Sequence, residues 1–135
     1  NIFGERQKSG LGGAVIPIFC ELAANGKPLT VFGDGTQRRE YMHVKDLIQA
    51  YDLVLKNQDI PGESFNAGTG ETPSINEIAT FISNQTGAPI THEPARPGEV
   101  PSFKLDSSKL KDLGFDPNIQ FEDGLARYVE SCLAS

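Results

Sequence analysis

The chain has no tryptophan, one methionine, two cysteines and two histidines, and the last two shortages each close off a class of function. Two cysteines make no disulfide framework. Cys20 and Cys132 fall at apolar positions of predicted helices, so they are expected as core thiols in a reducing, cytoplasmic compartment. His43 and His92 stand far apart in sequence, outside any cluster with ligand spacing, so no metal site is expected. The "GDG" at Gly33 lacks the further acidic positions of a calcium loop. No apolar run approaches the ~20 residues needed to span a bilayer, and no secretory or transit segment is visible. Positive charge is also short: 12 Lys and Arg face 18 Asp and Glu, a net charge of −6. That balance argues against a nucleic-acid partner, whose phosphates need a basic surface, but allows a local pocket for a small anion. There is no Walker A loop and no Gly-x-Ser-x-Gly nucleophile.

What is present suits one domain. With 38% hydrophobic residues, 135 residues can bury roughly two-thirds of their unfolded surface. The first residue is Asn, so either the start was processed or the chain is a piece of something longer. Helical spacing over 13–25 places Val15, Ile16, Phe19, Leu22 and Ala23 together, and Asn25-Gly26 stops the run. "LTVF" at 29–32 and the alternating stretch 39–44 read as strands. Leu47, Ile48, Tyr51, Val54 and Leu55 then share the face of a helix. "ESFNAG" at 63–68 reads as a third strand. Ser74 and Glu77 form a capping box for a helix that buries Ile75, Ile78, Ala79 and Ile82. "ITHEPA" is a short strand, "SFKLD" at 102–106 a last one, and helices follow over 107–113 and 122–133. The alternation predicts an α/β (α+β-like) fold, a small mixed sheet with flanking helices.

Tyr41 and Lys45 in "REYMHVKD" have the Tyr-x-x-x-Lys spacing of a dehydrogenase pair. Four residues along a strand separate side chains by roughly 13 Å, whereas one helical face would bring them together. Because the stretch crosses from strand to helix, the spacing is read as a coincidence. "GTGETPS" resembles a dinucleotide loop, but Pro73 stands where the third Gly belongs. The remaining signal is cationic. Arg38-Arg39 follows a turn, and Arg96 sits in the Pro- and Gly-fixed loop "PARPGEVP". Two guanidinium forks from separate loops could clamp a diphosphate, each worth roughly 1.5–3 kcal/mol. The alternative is two surface arginines paired with Glu40 or Glu99.

Four stretches, in order, resemble one family. "NIFGERQ", "VFGDGTQRREYMHVKD", "FNAGTGETPSINEIA" and "RPGEVPSFKLDSSKLKDLGFDP" are similar to segments of the extended short-chain dehydrogenases that act on nucleotide sugars, the NAD-dependent epimerase/dehydratase family. The resemblance covers essentially the whole chain and identifies it with the C-terminal, substrate-binding portion, residues 1–135. The family's NAD-binding Rossmann domain, its dinucleotide loop and its catalytic Tyr would lie upstream of position 1. By matching position, Arg39 and Arg96 would grip the nucleotide diphosphate, and Asn1 would reach the substrate near its phosphates. Phe32, with Val31 as a further candidate, would pack on the base, and Glu99 would bond the ribose. Phe103, where many members carry a smaller residue, would crowd an N-acetyl group on the sugar. Arg38 falls on a variable position, and Tyr41 becomes a packing residue.

The resemblance implies a UDP- or dTDP-sugar as partner and NAD as the cofactor of the parent enzyme. It implies no catalytic residue in this chain and no turnover by the chain alone. The full-length protein would be a candidate homodimer, with neither nucleic acid nor membrane as partner. An alternative is a stand-alone module that binds nucleotide sugars without catalysis, or a scaffold whose site has been emptied.

Overall fold

Ser74 and Glu77 make the reciprocal bonds their spacing predicts. The Glu77 N–H donates to Ser74 Oγ at 3.1 Å, and the Ser74 N–H donates to the Glu77 carboxylate at 2.6 Å. The helix they open, α3 (Ile75–Thr86), buries Ile75, Ile78, Ala79 and Ile82 and ends at Gly87, whose φ of 76° supplies the left-handed cap. This computed structural model describes residues 1–7, 9–10, 14–57, 59–98, 102 and 104–134. Helix α1 (Val15–Ala24) carries Pro17 in its first turn, where no intrahelical N–H is needed. Helix α2 (Val44–Lys56) begins where His43 Nδ1 accepts from the Lys45 N–H at 3.3 Å, which cuts the expected 39–44 strand down to two residues. Helices α4 (Ser108–Asp112) and α5 (Phe121–Leu133) complete the chain.

The strands form two separate parallel pairs among the described residues, where a single mixed sheet was expected. β1 (Ile2–Phe3) pairs with β3 (Met42–His43), and β2 (Leu29–Phe32) pairs with β4 (Ile90–Glu93). The stretch 63–68 forms no strand because its backbone N–H groups find no carbonyl ladder among the described residues. Of 102–106, the described residues hold only an isolated bridge between Ser102 and Arg38.

The main core is a helical one. Ile16, Phe19 and Cys20 of α1 meet Ile78 and Ile82 of α3, and Leu125, Tyr128 and Val129 of α5. Cys20 is a buried free thiol with Cys132 beside it, and burial pushes its pKa up, as expected of a core thiol. A smaller cluster joins Met42, Ala50, Leu110 and Phe115, with Leu47 and Val54 packed against it. The rest of the expected α2 face turns outward: Ile48, Tyr51 and Leu55 are exposed. The helix is rotated because Asp46 points inward, where its carboxylate accepts from the N–H groups of Asn118 and Ile119 at 3.0 and 3.2 Å.

Glu71 and Glu40 likewise accept from backbone N–H groups far away in sequence. Glu71 accepts from the Phe121 N–H at 2.8 Å, at the start of α5. Glu40, 3% exposed, accepts from the Gly70 N–H at 2.7 Å and the Leu105 N–H at 2.6 Å. Its backbone carbonyl receives both the amino terminus and Nδ2 of Asn1, at 2.9 and 3.0 Å. A Cβ on Gly68 would stand 2.2 Å from a Glu40 carboxylate oxygen, so the position admits only Gly. Replacing Glu40 with Ala would strand two N–H groups. The expected loss is about 2–4 kcal/mol, read as a lower urea midpoint, with E40Q losing less because it keeps one acceptor oxygen.

His43 is 1% exposed, and α5 approaches it closely because residue 124 is Gly: a Cβ there would lie 3.0 Å from the imidazole. Its Nε2 has no hydrogen-bond partner and sits 3.4 Å from a Glu5 carboxylate oxygen. Desolvation lowers its pKa below 6.5, with Lys45 and Arg127 acting in the same direction against Glu5 and Asp46. Between that lowered value and 6.5 the unfolded chain binds the proton more readily, so protonation favours unfolding. Stability contributed by neutral His43 is therefore complete above pH 6.5 and declines as pH falls through the window below it. Thermal unfolding between pH 7.5 and 5.5 should show this decline. His43→Asn, which keeps a side-chain oxygen as helix cap, should flatten it.

Candidate functional site

The stretch 38–41 divides its side chains between two faces. Arg38 and Glu40 face one way: Arg38 donates to the Thr72 carbonyl at 2.8 Å and pairs with Glu77 at 3.1 Å, while Glu40 enters the interior. Arg39 and Tyr41 face the other way, into a cleft. Arg38 is thus a surface ion-pair residue, as its position implied. The expected alternative, Arg39 paired with Glu40, is not formed, because both oxygens of the Glu40 carboxylate are taken by backbone N–H groups.

β2 supplies the second wall by the same alternation. Leu29 and Val31 are fully buried, whereas Thr30 and Phe32 line the cleft. Val31 therefore belongs to the core, which corrects its candidacy for contact with a base. Asn1, Phe32, Arg39 and Arg96 come together in this cleft, from four distant parts of the sequence. Val15, Ile18 and Phe19 of α1 and Ile75 of α3 give it an apolar floor, and Gln37 lies at its edge. Sequence reading missed Thr30, Val15, Ile18 and Gln37. Thr30 was accessible through its two-residue spacing from Phe32, but the α1 residues depended on how that helix lies across β2. Glu99 and Phe103 lie outside the described residues.

The charges in the cleft are of one sign. Arg39 and Arg96 line it with no carboxylate among the described lining residues. Arg39 is steered by a bond of 2.8 Å to the Arg38 carbonyl. Arg96 sits three residues past β4, and its guanidinium carbon stands 3.7 Å from the centre of the Phe32 ring, a cation–π contact. A group stacking on Phe32 must therefore displace Arg96 or share the ring with it. Tyr41 packs edge-on against Phe3 and tilted against Phe121. Burial pushes its phenol up to about 12, so it is a protonated packing residue at neutral pH. Lys45, across the strand–helix junction, is exposed and does not figure among the charges acting on that phenol. The arrangement can hold an anion joined to a flat or apolar group.

The Gly-rich turn "GTGETPS" is filled from within. The Gly70 N–H that might have met a pyrophosphate donates to Glu40, and the Ser74 N–H donates to Glu77. These carboxylates exclude a second anion, so the residues of this turn do not fit the pyrophosphate of NAD. Among the described residues no group of three or more His, Cys, Asp or Glu side chains could hold a metal ion, and no helix is long and apolar enough to cross a membrane.

Low-salt glycan biosynthesis protein Agl12 of Haloferax volcanii is 38% identical over 133 residues, covering 96% of this chain and 42% of that protein. UDP-glucose 4-epimerase of Mycolicibacterium smegmatis is 33% identical with the same coverage. Among solved structures, UDP-glucose 4-epimerase of Thermotoga maritima with UDP-glucose superposes with a TM-score of 0.87 at 33% identity, over 97% of this chain and 43% of that one. UDP-glucuronic acid 4-epimerase of Bacillus cereus, in complex with UDP-glucuronic acid and NAD, gives 0.86 at 29% identity, over 98% and 42%. The chain thus spans about two-fifths of the length of the relatives it matches. The model of the NAD dependent epimerase/dehydratase family matches residues 1–68, half of the sequence, and the chain belongs to that family.

Proposed function

We propose that this chain binds a nucleotide sugar, a UDP- or dTDP-sugar, as the C-terminal substrate-binding portion of an NAD-dependent epimerase or dehydratase. The observation that carries the reading is the cleft itself: two guanidiniums over an apolar floor, with no carboxylate among the described lining residues, in a chain of net charge −6. A diphosphate suits paired guanidinium forks, which bind its oxygens with charge-assisted bonds. The adjoining Phe32 ring suits a nucleobase.

In this reading Arg39 and Arg96 hold the diphosphate, Asn1 stands near the phosphates, and Phe32 takes the base. Glu99 would meet the ribose and Phe103 the sugar, on the strength of the sequence resemblance. Held in this way, the sugar is presented in one position to groups supplied from outside the chain, and fixing the reactants in place is the chain's share of the catalysis. NAD supplies the redox chemistry of such an enzyme when bound. The parent activity would be epimerisation or dehydration of the sugar, and the chain by itself would turn nothing over.

Titration calorimetry with UDP-glucose tests the assignment. Arg39→Ala and Arg96→Ala should each weaken binding roughly 10- to 150-fold, the equivalent of losing one charge-assisted bond. Unchanged affinity in both variants would show that the cleft does not hold the diphosphate.

A further inference from the structure

The two cysteines of the chain meet across the main core. Cys20 lies on α1 and Cys132 in the last turn of α5, and both are free thiols. Cys20 is 1% exposed, and Cys132 packs half-buried against the same cluster of α1, α3 and α5 side chains. The Cys132 side chain interacts with the Cys20 thiol and with the hydroxyl of Tyr128, one turn earlier on its own helix. The proposed nucleotide-sugar binding uses neither thiol.

Cys132 and Tyr128 line an open pocket between the two helices, bordered by Pro17 and Ala24 of α1 and by Arg6 and Gln7. The Tyr128 hydroxyl donates to the Gln7 carbonyl at 2.8 Å, which holds the 5–7 turn beside the pocket. Among the described lining residues Cys132 is the one thiol, and Cys20 is buried beside it. The pocket and the cationic cleft share no described lining residue. Helix α1 presents Val15, Ile18 and Phe19 to the cleft, and Pro17, Glu21 and Ala24 to the pocket.

A thiol with a second thiol against it differs in chemistry from a lone core cysteine. A small disulfide entering the pocket meets Cys132 and not Cys20. Burial pushes the Cys20 pKa up, which keeps that thiol protonated and inert toward reagents in solution. Once Cys132 carries a mixed disulfide, Cys20 stands next to the sulfur it must attack, and the step is intramolecular.

We propose that Cys132 and Cys20 form a reversible thiol–disulfide site whose oxidant is a low-molecular-weight disulfide, with Cys132 modified first and Cys20 resolving. Cys132 gives its proton to water, and its thiolate attacks one sulfur of R–S–S–R. The S–S bond of the reagent breaks and one R–S⁻ leaves. Cys20 then loses its proton, attacks Cys132 Sγ and displaces the second R–S⁻. The two released thiolates take up the two protons. The protein thus loses two S–H bonds and gains one S–S bond, a two-electron oxidation, while R–S–S–R is reduced to two thiols. In a reducing compartment the pair rests as two thiols and closes only under oxidant load. The closed bond ties α1 to α5, on the side of α1 away from the cleft floor.

The test is incubation of the native chain with oxidised glutathione, followed by mass spectrometry of the intact chain and its peptides. The expected product is a monomer lighter by two hydrogens, with Cys20 joined to Cys132, and dithiothreitol reverses it. Cys20→Ala should stop at one glutathione on Cys132. Cys132→Ala should take up glutathione at least tenfold more slowly, because the remaining thiol is buried. Urea below the unfolding transition should leave the wild-type rate unchanged, as attack on the native state requires. The proposal is overturned if no Cys20–Cys132 bond forms, if it forms only where urea unfolds the chain, or if the wild type stops at the mixed disulfide. It is equally overturned if the bonds join two chains, or if folded Cys132→Ala reacts less than tenfold more slowly. Should circular dichroism show either variant unfolded, the wild-type product and its urea dependence decide the matter alone.

Discussion

The buried carboxylate of Glu40 is the constraint on which the rest of the structure depends. It joins the turn at Gly70 to the segment entering at Leu105, while its own carbonyl holds Asn1. Three parts of the chain that are distant in sequence therefore meet at one residue without a continuous sheet between them. An acid in the interior is costly unless its oxygens are satisfied, and here backbone N–H groups satisfy them. Those N–H groups come from loops, so the arrangement gives the loops the order that a sheet would otherwise impose. Asp46 and Glu71 repeat the device on either side of the segment that leads into α5.

The candidate site follows from the same residue. With Glu40 turned inward, strand-like alternation turns Arg39 outward into the cleft, where no carboxylate stands among the described lining residues. Local concentration of positive charge in an acidic protein is then a matter of direction. Glu40, the acid next to Arg39, is turned into the interior, and among the described lining residues the cleft is left cationic. The acid that turns Arg39 toward the cleft also fills the Gly-rich turn, by accepting from the Gly70 N–H.

Much of the local structure was legible in the sequence. The capping box at Ser74 and the helical core positions of α1 and α3 rest on interactions within a few residues. Four short motifs identified the family, and they singled out Asn1, Phe32, Arg39 and Arg96, which the fold does bring into one cleft. What failed needed partners from far away. The alternation at 63–68 predicts a strand that does not form, because a strand exists only where a ladder is offered. The apolar spacing of α2 predicts its helix but not which side is covered, because Asp46 and the 118–119 backbone set the rotation.

By itself, the sequence determined where helices start and stop, which residue types are available to hold a phosphate, and the family. Those properties depend on spacing, on capping chemistry and on the turn residues Gly and Pro. The tertiary structure alone decided that Glu40 points in and Arg39 out, that Val31 is core while Thr30 and Phe32 line the cleft, and that Arg96 rests on the Phe32 ring. Each of these is a choice between two faces of the same segment. A segment's pattern is the same whichever face it buries, so only the neighbours that it meets in three dimensions can make that choice.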